Sequence, residues 1–235
     1  MISFVIPVFN GYIPLRDNLP FLIDFLSKNF TNYEILIVDD GSDNHDDIKI
    51  LAKELNCKYL NNGLNRGKGY SVRSGIRNSV GDIIFFTDAD IPFNCSCILD
   101  FIKLIKDGSD FVIGDRRNQK SDYFNRISFK RKIGSKIYSW IKAKLVGLNG
   151  YDTQCGIKAF QRNSINSVIN KLEIDGFAFD IELLLAAHQK NMKISSVPVI
   201  LRNQDSKSIS FLKHSIIMLK DLLIIRKNWK QKKYE

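Results

Sequence analysis

The sequence predicts an α/β protein: a mostly parallel central sheet flanked by helices on both faces. Two patterns predict it. Short apolar runs rich in Val, Ile and Phe alternate with longer segments of helical periodicity from residue 2 onward, as in a series of β-α-β units. Each of the first four runs also ends in a polar loop rich in Asp, Asn or Gly, and ligands of such sheets gather at the carboxyl ends of the strands. At 235 residues and 44% hydrophobic composition, the chain has apolar material for one substantial core.

The elements follow in order. Residues 2–6 read as the first strand, followed by Pro7-Val8-Phe9-Asn10 and a helix over 14–28. Residues 34–38 lead into Asp39-Asp40-Gly41-Ser42 and a helix over 45–55. Gly41 and Ser42 suit a tight turn into a helix cap, which does not require two acids; Asp39 and Asp40 offer acceptors to base N–H and ribose hydroxyl groups. The third run, 57–60, passes through a turn at 61–64 to Asn65-Arg66-Gly67-Lys68-Gly69 and a helix over 69–79. Glycines there let the backbone approach a ligand, and cations such as Lys68 can meet phosphate ahead of a helix N-terminus. Residues 83–87 form the fourth strand, 96–106 a helix and 111–113 the fifth strand, and Phe177 to Leu185 read as a largely buried helix carrying Asp180 and Glu182.

The fourth strand ends in Asp88-Ala89-Asp90. Two ionised carboxylates a few ångströms apart repel, so a cation belongs beside them, and a hard divalent ion carrying a diphosphate meets that need. The plain alternative is an acidic loop capping the next helix. The G-x-x-x-x-G-K-[ST] spacing is missing, and no G-x-G-x-x-G follows the first strand, which argues against ATP hydrolysis and dinucleotide redox chemistry.

The net charge of +10 is uneven. Residues 116–145 hold ten Lys/Arg against one acid and residues 202–235 nine against three, +15 together, leaving the remainder at −5. No nucleic-acid motif accompanies the basic segments, so nucleic acid is not the expected partner. Apolar residues recur at helical spacing in both segments, with Ile133, Ile137, Trp140 and Ile141 in the first and Leu212, Ile216, Leu219, Leu223 and Ile224 in the second, flanked by Lys and Arg. Such helices can lie on an anionic membrane surface or pack on the sheet. No apolar stretch approaches the roughly 20 residues needed to span a bilayer. Cys57, Cys95, Cys97 and Cys155 lack paired CxxC spacing and read as free thiols, and His45, His188 and His214 lack ligand spacing. The chain enters its first strand without a signal sequence, so a cytoplasmic protein, peripheral on the inner membrane face, is expected.

Ile6-Pro7-Val8-Phe9-Asn10, Val38-Asp39-Asp40-Gly41-Ser42, Asn65-Arg66-Gly67-Lys68-Gly69 and Thr87-Asp88-Ala89-Asp90 together resemble the family 2 glycosyltransferases of the GT-A fold. Gly114-Asp115-Arg116-Arg117, the stretch Asp152-Thr153-Gln154-Cys155-Gly156 and the segment from Gly176 to Leu184 resemble its dolichyl-phosphate β-glucosyltransferase and polyprenyl-phosphate branch. The resemblance implies transfer of a sugar, with UDP-glucose the nearest donor, to polyprenyl phosphate with inversion. It implies that Pro7, Asn10, Asp39, Asp40 and Lys68 bind the nucleotide sugar, that Asp88 and Asp90 hold Mg²⁺ or Mn²⁺, and that Arg116 and Arg117 meet phosphate. Gln154 would lie near the donor, and Asp180 with Glu182 would line the sugar pocket. Related dolichyl-phosphate mannose synthases carry a glutamine where this chain has Pro92, which shifts metal coordination toward Asp88 or water. On this reading residues 1–200 are the catalytic domain and 201–235 a basic amphipathic helix.

Chemistry separates the possible acceptors. Cleavage of a sugar–phosphate bond puts negative charge on the departing nucleotide diphosphate, so catalysis concentrates on stabilising it. A lipid phosphate, with a second pKa of about 6, arrives ionised and needs no strong base. A saccharide hydroxyl would need a carboxylate within reach, and Asp180 is the candidate. A cell-surface polysaccharide transferase and a non-catalytic nucleotide-sugar or lipid-binding protein are the alternative readings.

Overall fold

The computed structural model describes residues 1–116, 150–202 and 211–235, with side chains from residue 218 onward in the last stretch. Arg117 and the first basic amphipathic segment lie outside the described residues.

Among the described residues seven strands form one sheet: β1 Ile2–Val8, β2 Tyr33–Asp39, β3 Lys58–Asn61, β4 Ile83–Thr87, β5 Phe111–Asp115, β6 Ile157–Gln161 and β7 Ile194–Pro198. Their order is β3-β2-β1-β4-β6-β5-β7. Only β6 runs antiparallel to its neighbours, inserted between β4 and β5. The expected strands β1 to β5 and the helices between them are present, with ends shifted by a few residues: α1 Tyr12–Asn29, α2 His45–Glu54, α3 Lys68–Asn78 and α4 Cys97–Lys106. Three shorter or later helices follow, α5 Arg162–Asn166, α6 Phe179–Gln189 and α7 Phe211–Lys230. His45 opens α2, as the helix expected over 45–55 requires.

Strand order makes the site. The chain steps from β1 outward to β2 and β3, then returns to the other side of β1 as β4. The loops leaving β1 and β4 therefore diverge and open a crevice at their carboxyl ends, where doubly wound sheets bind ligands. Pro7 lies inside β1, where the strand has outrun β4: Ile6 to Val8 are registered with β2 alone, so a residue that cannot donate to a ladder is tolerated on the unpaired side.

Helical periodicity covers both sheet faces. Leu15, Leu19, Leu22 and Leu26 of α1 pack with Phe4, Ile6, Ile37 and the apolar side of α4. The opposite face carries α3, α6 and α7, where Val72, Ile76, Leu184, Leu222 and Ile225 bury against Val5, Phe86 and Phe160. Every residue of α6 from Phe179 to Ala187 is buried, so Asp180 and Glu182 sit on a helix with no solvated face. The C-terminal helix has two apolar stripes: Leu222, Ile225 and Trp229 join the core, while the predicted stripe of Leu219, Leu223 and Ile224 faces outward.

Candidate active site

The acidic tip of β4 is a tight, strained turn. The Ile91 amide donates to the Asp88 carbonyl at 3.0 Å, and Ile91, a buried β-branched residue, takes a φ of +38°. That region disfavours L side chains, and strain of this kind clusters at functional sites. Gly156 crosses directly over the turn: the Asp88 amide donates to its carbonyl at 3.3 Å, and a Cβ at this position would stand 2.7 Å from Asp88 Oδ2. The glycine of the Asp152-Thr153-Gln154-Cys155-Gly156 motif is thus needed for β6 to begin beside the carboxylate.

Charges converge on this tip. Lys68 Nζ lies 2.5 Å from Asp88 Oδ1, and the two side chains are 18% and 36% exposed. Burial alone would lower the Lys68 pKa, but Asp88, Asp180 and Asp90 outweigh it and raise it, so the ammonium stays charged. Burial, reinforced by Asp88, pushes the Asp90 carboxyl up to about 6. A carboxyl raised in this way is one whose ionised form would gain from a further cation. Below the tip, Lys158 is completely buried in β6, with Nζ 2.7 Å from Asp180 Oδ1, 2.9 Å from the Cys155 carbonyl oxygen and 4.9 Å from the centre of the Phe86 ring. Sequence reasoning missed Lys158; its one signal was a charge in the apolar stretch Ile157-Lys158-Ala159-Phe160.

The predicted residues divide sharply. Asp88, Asp90, Lys68 and Asp180 come together. Gln154 stands exposed in the loop that approaches them. Asp40, by contrast, is 3% exposed and spends its carboxylate on its own chain: Oδ1 accepts from Asn62 Nδ2, the Arg66 amide and Ser71 Oγ at 2.8–3.1 Å, and Oδ2 from the Gly67 amide at 2.8 Å. These four bonds make Asp40 an organiser of the 65–69 loop. Asp39 accepts from the Ser42 amide at 3.0 Å and from Tyr59 Oη at 2.8 Å, which fixes the turn after β2. Asn10, at φ +50°, exchanges side-chain hydrogen bonds with Asp43 and ties the first loop to the second.

Three further expectations are corrected. The glycines of the 65–69 loop admit the chain itself rather than a ligand: at Gly69 a Cβ would stand 2.6 Å from Phe179 Cβ, and Gly67, at φ +103°, closes on the Asp175 carbonyl. The α3 amides of Gly69 and Tyr70 donate to that carbonyl at 2.6 and 3.3 Å, so Lys68, and not the helix N-terminus, is what the loop presents. Glu182 lines no pocket. Two helical residues apart from Asp180 and so on the far side of α6, it is fully buried and accepts from the Glu173 and Ile174 amides and Tyr234 Oη at 2.9–3.0 Å. Burial raises its pKa despite those donors. Arg116 meets Asp152 through a bidentate fork at 2.7 and 2.8 Å, which anchors the Gln154 loop to the end of β5.

Among the described residues no cluster of three His, Cys, Asp or Glu side chains is arranged to hold a metal. The Asp88/Asp90 pair supplies two hard oxygen donors, the complement of a site whose other ligands are diphosphate oxygens and water.

A parallel sheet with a switch-point crevice, an acidic strand tip and an adjacent lysine define a glycosyltransferase of the GT-A fold. The chain belongs to glycosyl transferase family 2, whose sequence profile matches residues 3–169. It is 30% identical to the dolichyl-phosphate β-glucosyltransferase of Saccharomyces cerevisiae, an alignment covering 96% of this chain and 74% of that one. The Dictyostelium discoideum enzyme of the same name is 31% identical over 96% of this chain and 73% of its own. Among solved structures, glucosyl-3-phosphoglycerate synthase of Mycobacterium tuberculosis with UDP superposes with a TM-score of 0.70 at 18% identity, covering 97% of this chain and 80% of that one. Its complex with Mn²⁺, UDP and glucosyl-3-phosphoglycerate gives 0.68 at 17% identity, covering 96% and 79%. At that identity the likeness shows the fold.

Proposed function

We propose that this enzyme transfers glucose from UDP-glucose to the phosphate of a polyprenyl lipid, with inversion at the anomeric carbon, on the cytoplasmic face of a membrane. The observation that carries the reading is the Asp88/Asp90 tip with Lys68 against it in the switch-point crevice. Asp88 and Asp90 fit Mg²⁺ or Mn²⁺: both are hard carboxylate donors, and burial together with the neighbouring Asp88 raises the Asp90 carboxyl to about 6, a penalty on its ionised form that a bound cation would relieve. When bound there, the ion neutralises charge on the departing nucleotide diphosphate. Lys68 adds a fixed ammonium at the same place, in a half-buried setting where it acts more strongly than in water.

The bond from the anomeric carbon to the UDP oxygen breaks, its electron pair leaving with UDP, as a lipid phosphate oxygen forms the new bond. Asp180 Oδ1 lies 2.7 Å from the buried Lys158 ammonium, so in this reading its carboxylate serves as a counter-ion. That arrangement favours an acceptor that arrives ionised over a hydroxyl that must be deprotonated. The relatives' names support the same acceptor and sugar. In this reading the site residues Pro7, Asn10 and Asp39 border the nucleoside side of the crevice, Gln154 lies near the donor sugar or diphosphate, and Arg116 lies near a phosphate.

Membrane contact falls to the outward stripe of α7, where Leu219, Leu223 and Ile224 are exposed among Lys220, Arg226, Lys227 and Lys230. No helix of the described residues is long and apolar enough to cross a bilayer. The decisive experiment incubates the protein with undecaprenyl or dolichyl phosphate, Mg²⁺ or Mn²⁺ and a panel of nucleotide sugars, and identifies products by mass spectrometry. A hexosyl lipid phosphate formed from UDP-glucose is expected; product only with saccharide acceptors would overturn the acceptor assignment. Liposome flotation should show binding to anionic vesicles that weakens as salt rises, and binding to neutral vesicles at all salt concentrations would remove the electrostatic part.

A further inference from the structure

We propose that Tyr234 is a positioning residue for the donor diphosphate: through Glu182 and the 173–175 loop it fixes the backbone that presents Lys68 to Asp88. The inference rests on the donor site proposed above.

Tyr234 is fully buried. Its amide donates to Gln189 Oε1 at 3.0 Å, and the Lys171 ammonium reaches the carbonyls of Tyr234 and Glu235. Its phenol donates to Glu182 Oε1 at 3.0 Å. Glu182 in turn holds the Glu173 amide at 3.0 Å and the Ile174 amide at 2.9 Å. The loop fixed in this way hands its carbonyls to α3: Ile174 accepts from Arg73 Nη1 at 2.6 Å and Asp175 from the Gly69 amide at 2.6 Å. Asp40 grips the other side of the same turn through the Gly67 amide. Lys68 lies between the two gripped residues, with its ammonium 2.5 Å from Asp88.

Packing alone would ask only for an aromatic ring at 234. The hydroxyl matters because Glu182 is buried with a fixed set of donors; losing one frees its carboxylate to turn, and the two amides it orders loosen with it. Ring and hydroxyl are separable, since Tyr234→Phe keeps the shape.

The test is a double-mutant cycle read by calorimetric titration of UDP and GDP in Mn²⁺ buffer, extended to millimolar nucleotide. It compares wild type, Tyr234→Phe, Lys68→Gln and the double variant, with melting temperatures recorded for each. Tyr234→Phe is expected to weaken nucleotide binding about five- to tenfold in the wild-type background and less than about twofold in the Lys68→Gln background, where the group it positions is gone. Ile105→Val, in α4 on the opposite face, controls for stability: it should lower the melting temperature and leave nucleotide affinity unchanged. Equal weakening in both backgrounds, or none in either, overturns the positioning role while leaving the donor site standing. Absence of nucleotide binding by the wild type overturns both.

Discussion

Two strands of this sheet end in a pair of aspartates or an Asp-x-Asp, and the two ends do opposite work. At the tip of β2, Asp39 and Asp40 are buried and accept hydrogen bonds from amides, hydroxyls and an asparagine of the same chain. At the tip of β4, Asp88 pairs with Lys68 and is 36% exposed, and burial with Asp88 raises the Asp90 carboxyl to about 6. Residue type and topological position are the same. What differs is the local supply of donors: four groups of the 62–71 segment fold back over β2, whereas β4 turns sharply at Ile91 and leaves its carboxylates facing the crevice. In the proposed reading a carboxylate satisfied by its own fold serves as scaffold, and one buried beside a like charge is open to a cation.

The largest expected effect separates the two tips. Asp90→Ala should lower turnover by about 10³-fold while leaving thermal stability unchanged or raised, since a repelling, partly buried carboxylate is removed. Retained turnover without added metal would end the contrast. Asp40→Asn should do the reverse. An amide cannot accept from all four donors, so stability falls by about 3 kcal/mol in chemical denaturation, with activity lost only as the 65–69 loop loosens. If Asp40→Asn is stable and merely inactive, Asp40 belongs with the ligand-binding acids.

Asp180 tests which side of the divide a third acid falls on. Asp180→Asn leaves Lys158 buried without its counter-ion, so the melting temperature should drop by several degrees, while kcat with a phosphate acceptor stays within about tenfold. A fall of several orders of magnitude in a variant shown to be folded would make Asp180 a base and the acceptor a hydroxyl.

The smallest effect concerns Glu34, at the opposite end of β2. Burial would raise its pKa, but Lys58 at 2.7 Å, Ser3 Oγ at 2.5 Å and the Val80 amide at 2.6 Å overcome this and lower it. Its folded value lies below its unfolded one, so its contribution is complete above the unfolded pKa of about 4.3 and is lost as pH falls through the folded value. Urea unfolding between pH 3 and pH 7 should therefore show a shallower acid limb for Glu34→Gln than for the wild type.

How much could be read beforehand follows from the same physics. Strands β1, β2, β4 and β5 and helices α1 to α4 announced themselves because each buries a contiguous run or a regular stripe, and burial writes periodicity into the chain. The strands β6 and β7 were hidden by Lys158 in one and by Ser195 and Ser196 in the other, polar residues whose partners come from elsewhere in the fold. The second apolar stripe of α7, Leu222 and Ile225, was masked by the outward one beside it.

By itself the sequence determined the α/β class, the loops at the carboxyl ends and the acidic tip of β4, all of which depend on neighbours along the chain. Only the tertiary structure decided that Asp40 and Glu182 accept from backbone amides of the same chain, that Gly67 and Gly69 make room for the 174–175 backbone, and that Lys158 pairs with Asp180 and Tyr234 with Glu182. A side chain's type fixes which hydrogen bonds and charges it can offer; whether those are already taken depends on groups far away in sequence that only folding brings near.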